Sequence, residues 1–323
     1  MDDGGVIHDL TACDFQGVAD LAKVKAFLTG RESCASLPDY WTAGKSTVGT
    51  FQTIFDSPAA HHKFWCDANG DYQAYLWLHP TPIETISGNG NSWRMFMHPG
   101  VKTHGLGKAM ISTAEAWLSA RSELPVETVA YREDLWLSTL LEEHGYARQE
   151  VLDVYMHLQL DEPVKEPEEI DGYTIRPLAV PLDVAQRSGA QSDAFAGKSE
   201  PDAWSLGNTA RFLIWYEGRE DLDLVAVTGA GEIAAFAVFL VDQVTRSGEL
   251  DPVGTRASHQ GKGLSKALLL TGLRYLESKG MKQVAVRTGI ENLPAIRTYQ
   301  SVGFKVVDYL DRYAKDSGFR PRR

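Results

Sequence analysis

One stretch of this chain, residues 249–267, gathers groups able to hold an anion and to move a proton. Glu249 and Asp251 stand two apart in a run that reads as a strand. Both side chains are therefore expected on one face, continued by Val253 and Thr255. A carboxylate so placed can take a proton from an ammonium substrate, directly or through water. A solvated acid at a strand end is the equal alternative. After Gly254 and a short loop that ends at Gln260, the run Gly261-Lys262-Gly263-Leu264-Ser265-Lys266 opens a long helical pattern. The first amides of a helix lack partners, and the dipole adds partial positive charge there. Glycines let the backbone approach a ligand closely, so the turn suits phosphate or pyrophosphate, with Lys262 and Lys266 adding charge. A plain strand-to-helix turn remains the other reading, because short glycine motifs recur by chance.

Two familiar phosphate loops do not fit. A nucleotide P-loop needs Gly, four residues, then Gly-Lys-Ser/Thr. Here Gly254 stands too far ahead of Gly261-Lys262, and Gly263 replaces the hydroxyl residue. A dinucleotide fingerprint needs a third glycine and the first strand of its unit. Lys266 stands at that glycine's place, and the strand is a late one.

The same pattern occurs twice. Gly105-Leu106-Gly107-Lys-Ala-Met-Ile returns as Gly263-Leu264-Ser265-Lys-Ala-Leu-Leu, 158 positions on, and Gly145-Tyr146 returns as Gly303-Phe304 at the same offset. Agreement at both ends without a gap points to two copies of one α/β unit, and the period is too long for a solenoid. In the first copy helices are expected around 18–28 and 40–55, then a hairpin of 62–67 and 72–78. A strand at 93–98, a helix at 105–122, a strand at 126–131, a helix at 134–144 and a strand at 151–160 follow. The acidic, proline-bearing segment 161–172 reads as a linker. The second copy repeats the order: a start at 173–177, helices at 182–196 and 204–217, a hairpin of 223–228 and 233–241, and a strand at 249–255. A helix at 261–279, a strand at 284–288, a helix at 293–302 and a last strand pair within 304–313 complete it. The expected class is α/β, with a mixed sheet in each of two tandem domains, 1–160 and 173–323.

The glycine loop resembles the acyl-CoA loop of the GNAT acyltransferase superfamily, Arg/Gln-x-x-Gly-x-Gly/Ala. Gln260-Gly261-Lys262-Gly263-Leu264-Ser265 matches it, with Ser265 in place of the last small residue. Lys102-Thr-His104-Gly105-Leu106-Gly107 matches with Lys102 for Arg/Gln, after an entry Met97-His-Pro similar to the family's. Asn292-Leu-Pro-Ala-Ile-Arg-Thr-Tyr299-Gln-Ser-Val-Gly303-Phe304 resembles the family's late helix. The two-domain arrangement is similar to that of mycothiol synthase-like members. The resemblance implies an N-acetyltransferase that uses acetyl-CoA as co-substrate and a small-molecule amine as acceptor. It also implies roles. Val253, Gly254 and Thr255 line the strand that pairs with the pantetheine arm. Amides from Gly261 to Ser265 cradle the pyrophosphate, and Asn292 lies near the pantetheine. Tyr299 protonates the departing thiolate; the base, Glu249 or Asp251, rests on the strand argument above. The aromatic run 211–216 falls where the family builds its acceptor pocket, but it reads first as core, with one or two residues lining that pocket. A non-catalytic acyl-CoA binder or sensor is the rival, favoured by Ser265 and by Arg256-Ala257 where the family has His-Pro.

The copies differ where chemistry is concerned. At the 158-residue offset Tyr299 falls on Leu141 and Asn292 on Asp134. The first copy is expected to retain at most donor affinity through Met97, Lys102, His104, Gly105, Leu106 and Gly107. His104 and His259 abut the two loops and read as surface histidines near phosphate.

The remaining composition narrows the class. A net charge of −11 argues against nucleic acid as the main partner. No run approaches the roughly 20 apolar residues of a membrane span, and Met1-Asp-Asp-Gly-Gly does not read as a signal peptide. Cys13, Cys34 and Cys66 lack metal spacing, and reduced thiols in a cytoplasmic protein are expected. His61-His62 lacks a third ligand at metal spacing, so no metal is expected. The absence of cysteine from the second copy rules out a Cys-acyl intermediate there. Nothing in the sequence sets an oligomeric state.

Overall fold

The computed structural model describes residues 10–17, 20, 23–24, 26–27, 61–80, 91–196, 222–243 and 245–316. The expected helices at 40–55 and 204–217, the aromatic run 211–216 and Cys34 lie outside these residues, as does part of 18–28. The described chain runs β1 (Thr11–Asp14), β2 (His61–Cys66), β3 (Tyr72–His79), β4 (Asn91–Met97), α1 (His104–Ser119), β5 (Val126–Tyr131), α2 (Leu135–Glu143) and β6 (Ala147–Gln159). It continues with β7 (Tyr173–Pro177), α3 (Val184–Ala194), β8 (Asp223–Thr228), β9 (Ile233–Asp242), β10 (Ser247–Thr255), α4 (Leu264–Ser278), β11 (Gln283–Gly289), α5 (Leu293–Ser301) and β12 (Lys305–Lys315).

Contacts divide the described chain into two units. The first holds residues up to Asp153 together with the chain from Asp308 onward; the second holds Val154–Val307. The two long strands β6 and β12 are thus each shared between units. The segment 304–313, expected to be a pair of strands, is one continuous strand. Its second half finds partners in β5, from Leu310 opposite Tyr131 to Lys315 opposite Val126.

In the first unit the strand order is β1-β2-β3-β4-β5-β12. The β2–β3 hairpin turns at Asp67, whose carboxylate accepts from the amides of Asn69 (2.9 Å) and Asp71 (3.0 Å) while Gly70 takes φ +80°. This is a side chain mimicking a backbone turn, with glycine where φ is positive. Helix α1 buries Met110, Ile111, Ala114 and Leu118 at helical spacing against Trp65, Ala74, Leu76, Leu78 and Trp93. Tyr313, brought in by β12, belongs to the same core. Buried Asp311 on that strand is ion-paired with Arg132 (2.8 Å) and with Arg148.

Strands β1 and β2 also carry a correction. Antiparallel pairing sets Cys13 opposite Phe64 and Thr11 opposite Cys66. That register brings the Cα atoms of Cys13 and Cys66 to 6.8 Å, and their sulfurs are bonded. The expectation of reduced thiols fails for this pair, which is 53 residues apart in sequence.

In the second unit the order is β6-β11-β10-β9-β8-β7. Helix α4 buries Leu264, Ala267, Leu268, Leu273 and Leu276. It packs so closely on β9 that a Cβ at Gly272 would run into the Phe239 ring. On the other side of the sheet Arg187 of α3 makes a buried ion pair with Asp223 (3.1 Å) and lies 3.6 Å over the Phe236 ring. The lone buried charge that would otherwise be costly is thereby matched.

Candidate functional site

In each unit two neighbouring parallel strands separate toward their C-terminal ends. Strands β10 and β11 pair from Ser247–Gln283 to Leu250–Val286 and no further. Strands β4 and β5 pair only at Asn91–Val126 and Ser92–Glu127. A crevice beyond the carboxyl ends of diverging strands is where open α/β sheets take ligands. The two glycine loops follow β4 and β10 at the starts of α1 and α4.

The strand leading into the second crevice is not regular. The register of β10 on β9 slips between Leu250 and Val253. Leu250, Val253 and Thr255 therefore stand opposite Phe239, Ala237 and Ala235 and share one face. Glu249, opposite Leu240, belongs to the other face with Gly254, opposite Phe236. The expected single row of Glu249, Asp251, Val253 and Thr255 is broken by the bulge, which adds one residue and reverses the alternation. Gly254 must be glycine, since a Cβ there would lie 2.5 Å from the Phe236 ring and 2.9 Å from Ala194. Glu249 is buried and Asp251 half-buried.

Beyond β10, Arg256 ties the strand end down through Ile233 O (2.8 Å) and Asp193 (3.2 Å). Gln260 donates to Thr255 O at 3.3 Å. Gly261 and Gly263 take φ +76° and +83°, conformations that other residues adopt only with strain. A Cβ at Gly261 would meet nothing within 4 Å, and one at Gly263 only Ile170 at 3.8 Å. Gly263 caps α4 without a side-chain bond, and the first intrahelical bond is Ala267 N to Gly263 O, 3.0 Å. The amides of 261–266 make no hydrogen bond among the described residues, and most of this turn is exposed. Ser265, which departs from the small residue of the motif, bonds Thr255 hydroxyl to hydroxyl at 2.8 Å and pins helix to strand. The Lys262 ammonium donates to the Tyr173 hydroxyl (2.8 Å). His259, expected at the surface, is 13% exposed at its side chain and bonds the same hydroxyl through Nδ1 (2.8 Å).

Beyond β11, Asn292 begins α5 and donates to Thr288 at 3.1 Å. Tyr299 is 7% exposed, with its ring edge-on to Phe304 at 5.9 Å. Its hydroxyl has no hydrogen-bond partner among the described residues, nor is it a sealed, orphaned atom. Burial pushes the phenol pKa up, and the charge of Asp251 pushes it further. The group is fully protonated at neutral pH and able to give a proton.

The first crevice is furnished differently. Thr103 caps α1 by accepting from Leu106 N (3.2 Å), and Gly107 N bonds Thr103 O (3.0 Å). Two amides that are open in the second unit are thereby spent. Lys102 is ion-paired to Asp134 (3.5 Å) and lies 4.6 Å over the Trp136 ring. A Cβ at Gly107 would lie 2.5 Å from Leu140 and 2.9 Å from Trp136, so this glycine serves helix packing. His104 faces Glu143 at 3.7 Å, while Gly105 and half-buried Leu106 flank the turn. Met97 and Leu141 are buried in the core. Sequence reasoning did not single out Thr103, although a threonine before a helix start is a recognised cap. It also missed Tyr173, which nothing local marks. No group of three or more residues able to hold a metal occurs among the described residues.

Comparison with known proteins agrees with this geometry. Residues 191–304 match the Acetyltransferase (GNAT) family. A mycothiol acetyltransferase of Thermomonospora curvata is 29% identical over 252 residues, covering 77% of this chain and 78% of that protein. The mycothiol acetyltransferase of Salinispora tropica is 28% identical over 258 residues, covering 76% and 78%. Among solved structures, a tandem GNAT protein from the clavulanic acid biosynthesis pathway superposes with a TM-score of 0.68 at 15% identity, covering 98% of this chain and 100% of that one. A GCN5-related N-acetyltransferase from Sphaerobacter thermophilus gives 0.61 at 21% identity, with 97% of each chain covered. The match to the GNAT acetyltransferase family is thus carried by residues 191–304, about three quarters of the chain is similar to mycothiol acetyltransferases, and the fold is that of tandem GNAT proteins.

Proposed function

We propose that the chain is an N-acetyltransferase that moves an acetyl group from acetyl-CoA to a primary amine of a small molecule, in the second domain. Two observations support this reading: the amides of 261–266 are unpartnered among the described residues, and the Tyr299 phenol is unbonded, protonated and close enough to Asp251 on β10 to feel its charge. The amides suit the donor's pyrophosphate, with Gln260, Lys262 and Lys266 beside it. Val253, Gly254 and Thr255 offer the strand edge beyond Leu250, where β11 no longer pairs, and Asn292 follows β11 at the start of α5.

The transfer balances as follows. Glu249 or Asp251 removes the proton from the acceptor ammonium. The free amine forms the C–N bond at the thioester carbonyl, and the C–S bond breaks. Tyr299 gives its proton to the departing sulfur, and the proton that the acylated nitrogen sheds passes through water to restore the phenol, while the carboxylic acid releases its own proton to solvent. The absence of cysteine beyond Cys66 favours direct attack over an acyl-enzyme.

The first domain is proposed as non-catalytic. Leu141 stands where Tyr299 does, and the loop Lys102–Gly107 is occupied by its own cap and ion pair. A single donor site per chain follows. The domain boundaries 1–160 and 173–323 remain the proposed evolutionary units, although contacts group the ends of β6 and β12 otherwise. The proposed compartment is the cytoplasm; a reducing compartment opposes the Cys13–Cys66 bond, so thiol titration of freshly isolated protein tests that placement.

Calorimetric titration with acetyl-CoA, followed by mass spectrometry of candidate amines, tests the function. The mycothiol-related acceptor of the relatives heads the candidates. One bound donor per chain and an acetylated amine are expected. No binding, or two equivalent sites, contradicts the reading.

A further inference from the structure

We propose that Tyr173 is a positioning residue for the acyl donor, holding the Lys262 ammonium beside the glycine loop so that the site selects donors by their phosphates. The inference rests on the reading of that loop as the donor site.

Lys262 is exposed and sits between the two left-handed glycines. A lysine in such a place ordinarily samples many rotamers. Here its ammonium is anchored on the Tyr173 hydroxyl at 2.8 Å and lies 5.4 Å over the same ring. Tyr173 is the first residue of β7, so the anchor comes from a strand and not from the loop itself.

An ammonium can only donate, so the tyrosine oxygen accepts from Lys262. The second bond joins that oxygen to Nδ1 of His259, 2.8 Å away. With the His259 proton on Nε2, which faces the Glu232 carboxylate at 3.4 Å, the phenol proton goes to Nδ1. The order is ammonium, phenol, imidazole, carboxylate. A phenol and an imidazole thus stand between the lysine and the carboxylate. No acidic side chain pairs with Lys262 among the described residues. Its positive charge stays available to a ligand anion beside the open amides. The first unit does the opposite: Lys102 is paired directly with Asp134. One loop keeps its cation for a ligand, and the other has consumed it.

The arrangement makes a specific demand on the donor. A thioester carrying phosphates gains from the fixed ammonium, whereas a phosphate-free thioester of the same arm does not. Tyr173→Phe is the discriminating variant in the full chain. It keeps the ring, with its edge-on contact to His259 at 5.8 Å, and removes only the hydroxyl. Calorimetry and steady-state kinetics should show the Kd and KM for acetyl-CoA rising about five- to tenfold with kcat at saturation unchanged, the size of one ordinary hydrogen bond. The KM for acetyl-pantetheine should not move. Lys262→Gln should weaken acetyl-CoA to a similar degree, and the double variant should be no worse than Lys262→Gln alone. Equal weakening of both donors by Tyr173→Phe would mean that the tyrosine merely supports the loop, and would overturn the proposal. So would a large effect of Lys262→Gln with none of Tyr173→Phe. Failure of the unaltered chain to bind acetyl-CoA at all would instead remove the donor-site reading beneath it.

Discussion

Tyr299→Phe isolates one atom. The ring is 7% exposed and stacks edge-on against Phe304, and phenylalanine preserves both features. The hydroxyl makes no hydrogen bond among the described residues, so no internal bond is lost. The melting temperature should therefore stay within a few degrees of the parent, the equivalent of about 1 kcal/mol or less for a unit this size. Turnover should behave otherwise. Positioned general acids contribute about a hundredfold or more, and a hundredfold is ~2.7 kcal/mol of transition-state stabilisation. Donor affinity should be unchanged, because the proton matters only as the sulfur departs. The pH dependence adds a second check. Burial and Asp251 raise the phenol pKa, so the protonated, active form persists above the ordinary tyrosine range near 10. A loss of wild-type activity on the basic side well below that range would not belong to Tyr299. Single-turnover measurements with a saturating amine report the chemical step. If the variant retains full turnover there, with acetyl transfer confirmed in the parent, the phenol is not the acid.

The carboxylates can be told apart by Glu249→Gln and Asp251→Asn on the same amine: the base should flatten the acidic limb of the pH–rate profile, and the other variant should retain it. Gly272→Ala should lower stability by about 1–3 kcal/mol in a denaturant melt, because overpacking against Phe239 outweighs the ~1 kcal/mol helix gain of alanine. A neutral or stabilising result would mean that α4 can move off β9. Truncation after Val307 should unfold the first unit before the second in hydrogen exchange, since it removes the partner of β5 and Tyr313 from the core. Protection retained at β5 would refute the shared-strand account.

How much could be read beforehand depended on the range of the determining interaction. Strand 126–131, the hairpin at Asp67 and the helix from 264 onward were legible, because each is set by local alternation, turn chemistry or helical spacing. The bulge was not. Pro252 lacks an amide hydrogen and so marks an irregularity in the strand, but only the pairing with β9 shows that two residues occupy the place of one. That single insertion moved Val253 and Thr255 off the face of Glu249. The disulfide, the path of β12 into the first unit and the Tyr173–Lys262 bond were hidden for the same reason: each joins residues that are distant in sequence, with no local signature. The asymmetry of the two copies shows the complementary case. Leu141 at the place of Tyr299 was readable from sequence alone, since a residue type is a local fact. The consumption of the first loop by Thr103 and Asp134 needed geometry, because lysine, threonine and aspartate at those positions are equally compatible with an open anion site. What separates a loop that can receive phosphate from one that cannot is which donors are already spent, and that is a property of partners brought together by folding.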